Sequence, residues 1–142
     1  TIRDAQYIFK GHAGSVNAVG WMSTVGTDAV VISGGADKTI QIWEAFSGKI
    51  LQKYQMPAPV CALAWSPANG FFAAGLEDGS IYLYQDFEPQ PLYTLNGSGV
   101  AIRSFAWSPD GMALISGGDD WTVRVWQLEQ TQVYRHHRHW HQ

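Results

Sequence analysis

Cysteine is almost missing. Cys61 is the sole one in 142 residues, which rules out an internal disulfide and a multi-cysteine zinc cluster. It stands in the apolar run Val60–Trp65, where a thiol serves as a small buried hydrophobe rather than as a nucleophile. Charge is also sparse. Asp, Glu, Lys and Arg make up 15% of the chain, the formal net charge is −3 and the pI is about 5.9. No overall basic field is there to gather nucleic acid. No apolar run approaches the roughly 20 residues that a membrane-spanning helix needs, and no helix is evident. The first residues carry no leader-like run of basic then apolar side chains, so intracellular, cytoplasmic residence is the default expectation. The lack of an initiating Met leaves processing or truncation open. There is no phosphate-cradling Gly loop ahead of a helix and no nucleophile elbow, and a turn explains the carboxylate pair Asp119-Asp120. Chemistry has no visible home: neither an enzyme nor a cofactor is expected.

What is abundant is repetition. Val-Asn-Ala-Val-Gly-Trp ends at Trp21, Val-Cys-Ala-Leu-Ala-Trp at Trp65 and Ile-Arg-Ser-Phe-Ala-Trp at Trp107, in steps of 44 and 42 residues. A second element keeps the same beat: Asp37 to Trp43, Asp78 to Tyr84 and Asp120 to Trp126. A period near 42 built from short strands signals stacked sheet modules. In each first strand small residues (Ala18 and Gly20, Ala62 and Ala64, Ser104 and Ala106) alternate with Val19, Leu63 or Phe105. Small side chains therefore line one face and bulky ones the other, so that a bulky face nests on a neighbour's small one. Ser108-Pro109-Asp110-Gly111 suits a type I turn, Ser66–Gly70 a looser one, and Ser23–Asp28 makes the first unit longer. Second strands are expected at Ala29–Ser33, Phe71–Ala74 and Ala113–Ser116. Third strands end on Trp43, Tyr84 and Trp126. Fourth strands fall at Lys49–Tyr54, Pro91–Leu95 and, in a more polar stretch, Gln132–His137.

The segment Ser-Gly-Gly-Ala-Asp-Lys-Thr-Ile-Gln-Ile-Trp, with Gly11-His12 upstream, resembles the WD-repeat signature, and the likeness runs over residues 7 to 137 or so. It implies an all-β fold, a β-propeller segment of three four-stranded antiparallel blades around a channel. The units would run over 11–56, 57–97 and 98–137, with 1–10 as a leading outer strand and 138–142 as a His-rich tail. The resemblance also implies a structural tetrad of His12, Ser33, Asp37 and Trp43. Asp37 would hold the imidazole, the imidazole would reach the Ser33 hydroxyl, and that hydroxyl would accept from the indole N–H. The second unit departs, with Ala74, Tyr84 and no His, so it should rely on apolar packing. The third keeps Ser116, Asp120 and Trp126 but lacks the His. His12, Ser33 and Asp37 also look like a hydrolase triad, but no oxyanion motif accompanies them.

Closed propellers need at least four blades, so three cannot close alone and something must cover their outer faces. The segment Tyr7–Lys10 reads as a fourth strand whose own blade is missing. Two readings stay open: a piece of a longer propeller protein, or a chain whose copies assemble. In the second, Tyr7–Lys10 would complete the last unit of a neighbouring copy.

Binding residues in this family, by resemblance, gather on the loops between fourth and first and between second and third strands. The candidate interaction face holds Ser15, Asn17, Lys38, Glu77, Arg103, Asp119 and Trp121, with Ala36, Pro59, Gly79 and Ala101 beside them. Trp121 follows the turn Asp120, where a small or polar residue is usual. The tail offers His136, His137, His139 and His141 as a weak metal set, and Arg135, Arg138 and Trp140 as a weak nucleic-acid contact. The expected function is a protein–protein interaction scaffold or regulatory module. The alternatives are a structural subunit that self-assembles or sits in a large complex and, more weakly, a small-molecule or sugar-binding propeller. Expected partners are other protein chains or further blades, including a homo-oligomer, with no membrane and with nucleic acid only as the weak contact just named.

Overall fold

The computed structural model describes residues 5, 7–22, 29–95 and 99–128, together with the backbone of 140–141. Among them there are strands and no helices. The strands are β1 (Val16–Met22), β2 (Val30–Gly35), β3 (Thr39–Glu44), β4 (Ile50–Gln55), β5 (Val60–Trp65), β6 (Phe71–Leu76), β7 (Ile81–Gln85), β8 (Tyr93–Leu95), β9 (Ile102–Trp107), β10 (Ala113–Gly118), β11 (Val123–Leu128) and β12 (Trp140–His141). They form three antiparallel four-stranded sheets, β1-β2-β3-β4, β5-β6-β7-β8 and β9-β10-β11-β12. The sheets converge at their first strands, where β1 lies beside β5 and β5 beside β9. Short runs rich in Val, Ile, Leu and aromatics favour this pleated, two-sided packing.

The turns explain where strands stop. Gly111 has φ 74° and closes a tight turn with its N–H on the Ser108 carbonyl at 2.9 Å. In the second sheet Gly70, φ 76°, closes a wider turn onto Ser66 at 2.8 Å. The corresponding loop of the first sheet, Ser23–Asp28, lies outside the described residues.

The core lies between sheets rather than within one. A Cβ on Gly34 would sit 2.5 Å from Val60 Cγ1 and 3.2 Å from Leu63 Cδ1, and one on Gly75 2.5 Å from Ile102 Cγ2 and 3.0 Å from Phe105 Cε2. Each glycine is thus a socket that receives two bulky side chains from the next sheet. Ile32, Ile40 and Ile42 in the first sheet, and Ala73, Ile81 and Leu83 in the second, are at most 2% exposed. Their counterparts in the third, Ile115, Val123 and Val125, are 40–71% exposed, and on the opposite face of the first sheet Val16, Val19 and Trp21 are 51–66% exposed. The difference is positional: among the described residues no further sheet packs against these two faces.

Two segments differ from expectation. Residues 7–10 form no ladder, yet the Phe9 ring stacks on Trp43 with centroids 4.2 Å apart. Tyr54 of β4 also meets the next sheet at this position, its ring 4.5 Å from that of Tyr84 but tilted by 55°. Residues 7–10 therefore occupy the place of an outer strand but lack the sheet that would pair with them. The fourth strand of the third sheet is Trp140–His141, inside the expected His-rich tail, whereas Gln132–His137 lies outside the described residues. It pairs with β11 only at Gln127↔His141 and Leu128↔Trp140.

Candidate interaction face

In the first sheet, β2 and β3 aim Ser33 and Trp43 at one point, and the loop before β1 brings His12 over them. His12 Nε2 lies 2.7 Å from Ser33 Oγ, and the Trp43 indole N–H donates to the same oxygen at 3.1 Å. On its other side His12 Nδ1 lies 3.1 Å from Asp37 Oδ2. Nδ1–H donating to the carboxylate and the Ser33 hydroxyl donating to Nε2 satisfies every member. Asp37 also accepts from Ala13 N–H at 2.9 Å, Thr39 N–H at 3.1 Å and the Thr39 hydroxyl at 2.9 Å. Burial by itself raises the Asp37 pKa, but the hydrogen bonds from Ala13, Thr39 and His12 outweigh it and bring the carboxyl down to about 2. Ser33 is 2% exposed. A serine buried under an indole that bonds to its own oxygen has no approach for a substrate carbonyl, so the geometry is that of a strut.

The second sheet has Ala74 and Tyr84 at these positions. Tyr84 stacks on Phe72 with centroids 4.9 Å apart, and Asp78 accepts from the backbone N–H of Ser80 at 2.9 Å. Burial, with a smaller contribution from Tyr82, pushes the Tyr84 phenol up to about 12. In the third sheet Trp126 donates to Ser116 Oγ at 3.0 Å, but Asp120 accepts instead from the Thr122 hydroxyl at 2.6 Å and from Arg124 at 3.1 Å. The Arg124 pairing escaped sequence reading; its signal is a cation where the other sheets have Gln41 and Tyr82.

The two loop sets meet at one end of every sheet. Ala36 N–H bonds to Ser15 O at 2.8 Å, Glu77 N–H to Pro59 O at 2.9 Å and Asp119 N–H to Ala101 O at 3.2 Å. Next to each clasp the first strand carries a β-bulge, and the extra residues are Asn17, Cys61 and Arg103. A bulge re-aims its side chain out of the ladder. Asn17 donates to Val60 O at 3.2 Å, across to the next sheet. Arg103 is held by Asp119 in a two-point pair, Nε to Oδ1 at 3.0 Å and Nη2 to Oδ2 at 2.9 Å, and its Nη1 lies 3.8 Å from the Cys61 sulfur. Burial raises the Cys61 thiol pKa, and the nearby Arg103 cation opposes it. Sequence reading treated Cys61 only as core. Its place in the bulge row appears once the ladder register is known.

Lys38, Gly79 and Trp121 occupy the same position after the turn aspartate, with φ of 67°, 89° and 67°. Trp121 is 97% exposed. Ser15, Asn17, Lys38, Glu77, Arg103, Asp119 and Trp121 thus lie along a single end of the three sheets. His136, His137 and His139 lie outside the described residues, and His141 is described only as backbone in β12.

The family described as WD domain, G-beta repeat matches residues 3–44, 48–85 and 89–127. The chain belongs to the WD-repeat family. Its sheets are propeller blades. It is 33% identical over 127 residues to the small ribosomal subunit protein RACK1y of Oryza sativa subsp. japonica, covering 84% of this chain and 36% of the relative. It is 36% identical over 106 residues to the protein ROOT INITIATION DEFECTIVE 3 of Arabidopsis thaliana, covering 71% and 24%. It is 32% identical over 108 residues to the target of rapamycin complex subunit LST8 of Mus musculus, covering 74% and 33%. The chain therefore spans about a quarter to a third of the length of these WD-repeat relatives.

Proposed function

We propose that the chain is a protein–protein interaction segment, a scaffold or regulatory part of a larger WD-repeat protein or assembly, with no catalytic role. Trp121 carries the reading. A bulky residue in the left-handed region is strained, and the fold needs no side chain there, since Gly79 occupies the same place in blade 2. A fully exposed indole beside the paired Arg103 and Asp119 has the character of an interface anchor. Two of the similar proteins are named as members of the small ribosomal subunit and of the target of rapamycin complex, and a role within a large assembly, in the cytoplasm, agrees with this. The buried Ser33 supports the absence of catalysis. A small-molecule role has less behind it. The cleft lined by Tyr54, Tyr82, Tyr84 and Pro91 runs along β4 and the β7–β8 connection, away from the bulge residues.

The test compares wild type with Trp121→Ala in affinity capture from the source organism, followed by titration of the captured protein. Trp121→Ala is expected to weaken binding by about 2 kcal/mol, roughly 30-fold, with an unchanged circular dichroism spectrum. Unchanged affinity would remove Trp121 from the site, and lost binding together with unfolding would make it a packing residue.

A further inference from the structure

The connection from β7 to β8 in blade 2 spans residues 86–92, against 45–49 for the matching connection in blade 1. It carries Pro89 and Pro91. Proline has no N–H to offer a ladder, so this stretch leaves its own sheet and leans on blade 1. Two bonds pin it there: Gln52 Nε2 donates to Phe87 O at 3.1 Å, and the Tyr54 hydroxyl donates to Glu88 O at 2.9 Å. Between the connection and β4 runs a cleft of about 340 Å³, whose lining includes Lys53, Tyr54, Pro57, Tyr82, Tyr84 and Pro91. Both walls belong to blades 1 and 2, so further blades before the first or after the third would leave it open.

Tyr84 is the informative group. It is 2% exposed, stacked on Phe72 at 4.9 Å and tilted against Tyr54 at 4.5 Å. A phenol buried to this degree ordinarily bonds to protein. The Tyr84 hydroxyl has no hydrogen-bond partner among the described residues, and the side chain lines the cleft. Lys53 is exposed, and it alone is charged among the lining residues. Beyond Gln90 and Pro91, which border both, a second cleft of about 310 Å³ continues past Asp86, Glu88 and Leu92. Asp86 and Glu88 are exposed, and neither has an ion-pair partner among the described residues.

We infer that the two clefts form one groove for a proline-rich segment of a partner protein with a basic residue at one end. A polyproline helix makes no internal hydrogen bonds, and its prolines carry carbonyls but no N–H. It needs donors and offers none. The first cleft supplies donors, the Tyr84 hydroxyl and the Lys53 ammonium, beside tyrosine and proline surfaces on which proline rings pack. The basic residue then meets Asp86 and Glu88. A compact small molecule would fill one cleft and leave the carboxylates of the other unmatched. The groove shares no residue with the loop face and does not rest on Trp121.

Fluorescence anisotropy tests this with a labelled oligoproline peptide bearing one terminal arginine, titrated with the 142-residue chain. Saturable binding is expected, about tenfold tighter than for a Gly-Ser peptide of equal length with the same arginine, because the proline helix is already ordered. Tyr84→Phe removes an oxygen that bonds to nothing inside the protein. It should leave the melting temperature unchanged and weaken the peptide about fivefold, the loss of one neutral hydrogen bond. Asp86→Asn combined with Glu88→Gln should erase the preference for a terminal arginine over a terminal glutamate. Absent binding by wild type overturns the inference, and so does equal binding of the Gly-Ser peptide. It also fails if Tyr84→Phe melts lower or binds as wild type does, or if the double variant keeps its preference for arginine. Partner capture by Trp121→Ala is scored separately, so either claim can fail while the other stands.

Discussion

In blade 1 the positions of the tetrad hold His12, Ser33, Asp37 and Trp43, linked from loop to β3 by side-chain hydrogen bonds. In blade 2 the corresponding places hold Met56, Ala74, Asp78 and Tyr84, and three of the four belong to one apolar cluster with Phe72. The two blades bury comparable strands in the same topology, so the fold tolerates either solution. What each solution needs is a partner for every polar group it buries. A buried polar chain is stable only when each donor and acceptor is matched. Blade 2, without the serine, replaces the imidazole and the indole as well and leaves its aspartate at the exposed turn. Blade 3 stands between them: it keeps the indole–serine bond and turns its aspartate toward Arg124.

The comparison is broken most forcefully in the apolar blade. Phe72 is fully buried, and Phe72→Ala is expected to cost about 3–5 kcal/mol in urea unfolding through lost burial and the cavity left behind. A cost below that of Asp37→Ala would mean that aromatic packing is not what holds blade 2.

Next in size, Asp37→Ala strands the imidazole, two backbone N–H groups and the Thr39 hydroxyl. The expected loss is about 1–3 kcal/mol. Asp78→Ala removes one acceptor from an exposed turn and should cost clearly less. Equal shifts in the unfolding midpoint would show that Asp37 is no strut.

The smallest effect is a dependence on pH. The folded-state pKa of Asp37, about 2, lies below its ordinary value of 3.8. Its contribution to stability is therefore present above about pH 4 and is lost as the pH falls through about 2. Melting temperatures of wild type and Asp37→Asn should converge over that window. Parallel curves would show that the carboxylate form is not what blade 1 uses.

Much of this was legible in the residues. The period of the Trp-ending strands pointed to stacked sheet modules, and the resemblance to the WD-repeat signature implied the tetrad of His12, Ser33, Asp37 and Trp43, whose distances stand between 2.7 and 3.2 Å. Ladder register was less legible. The bulges that align Asn17, Cys61 and Arg103 depend on how β1, β5 and β9 pair with β2, β6 and β10, and no local preference states it. The Arg124–Asp120 pair is local, four residues apart, and was passed over because the family tetrad pairs the turn aspartate with a histidine from another loop.

The division follows from the range of the forces. Strand alternation, turn chemistry and the repeat are set by neighbours a few residues apart, so the sequence alone determined that this chain builds blades. Exposure is set by what lies across an interface. Only the tertiary structure decided that Val60 and Ile102 are buried knobs while Val16 is a bare one, and that Trp121 stands free in a left-handed turn. The same residue type at the same place in the repeat is core or surface according to whether another blade is packed against it.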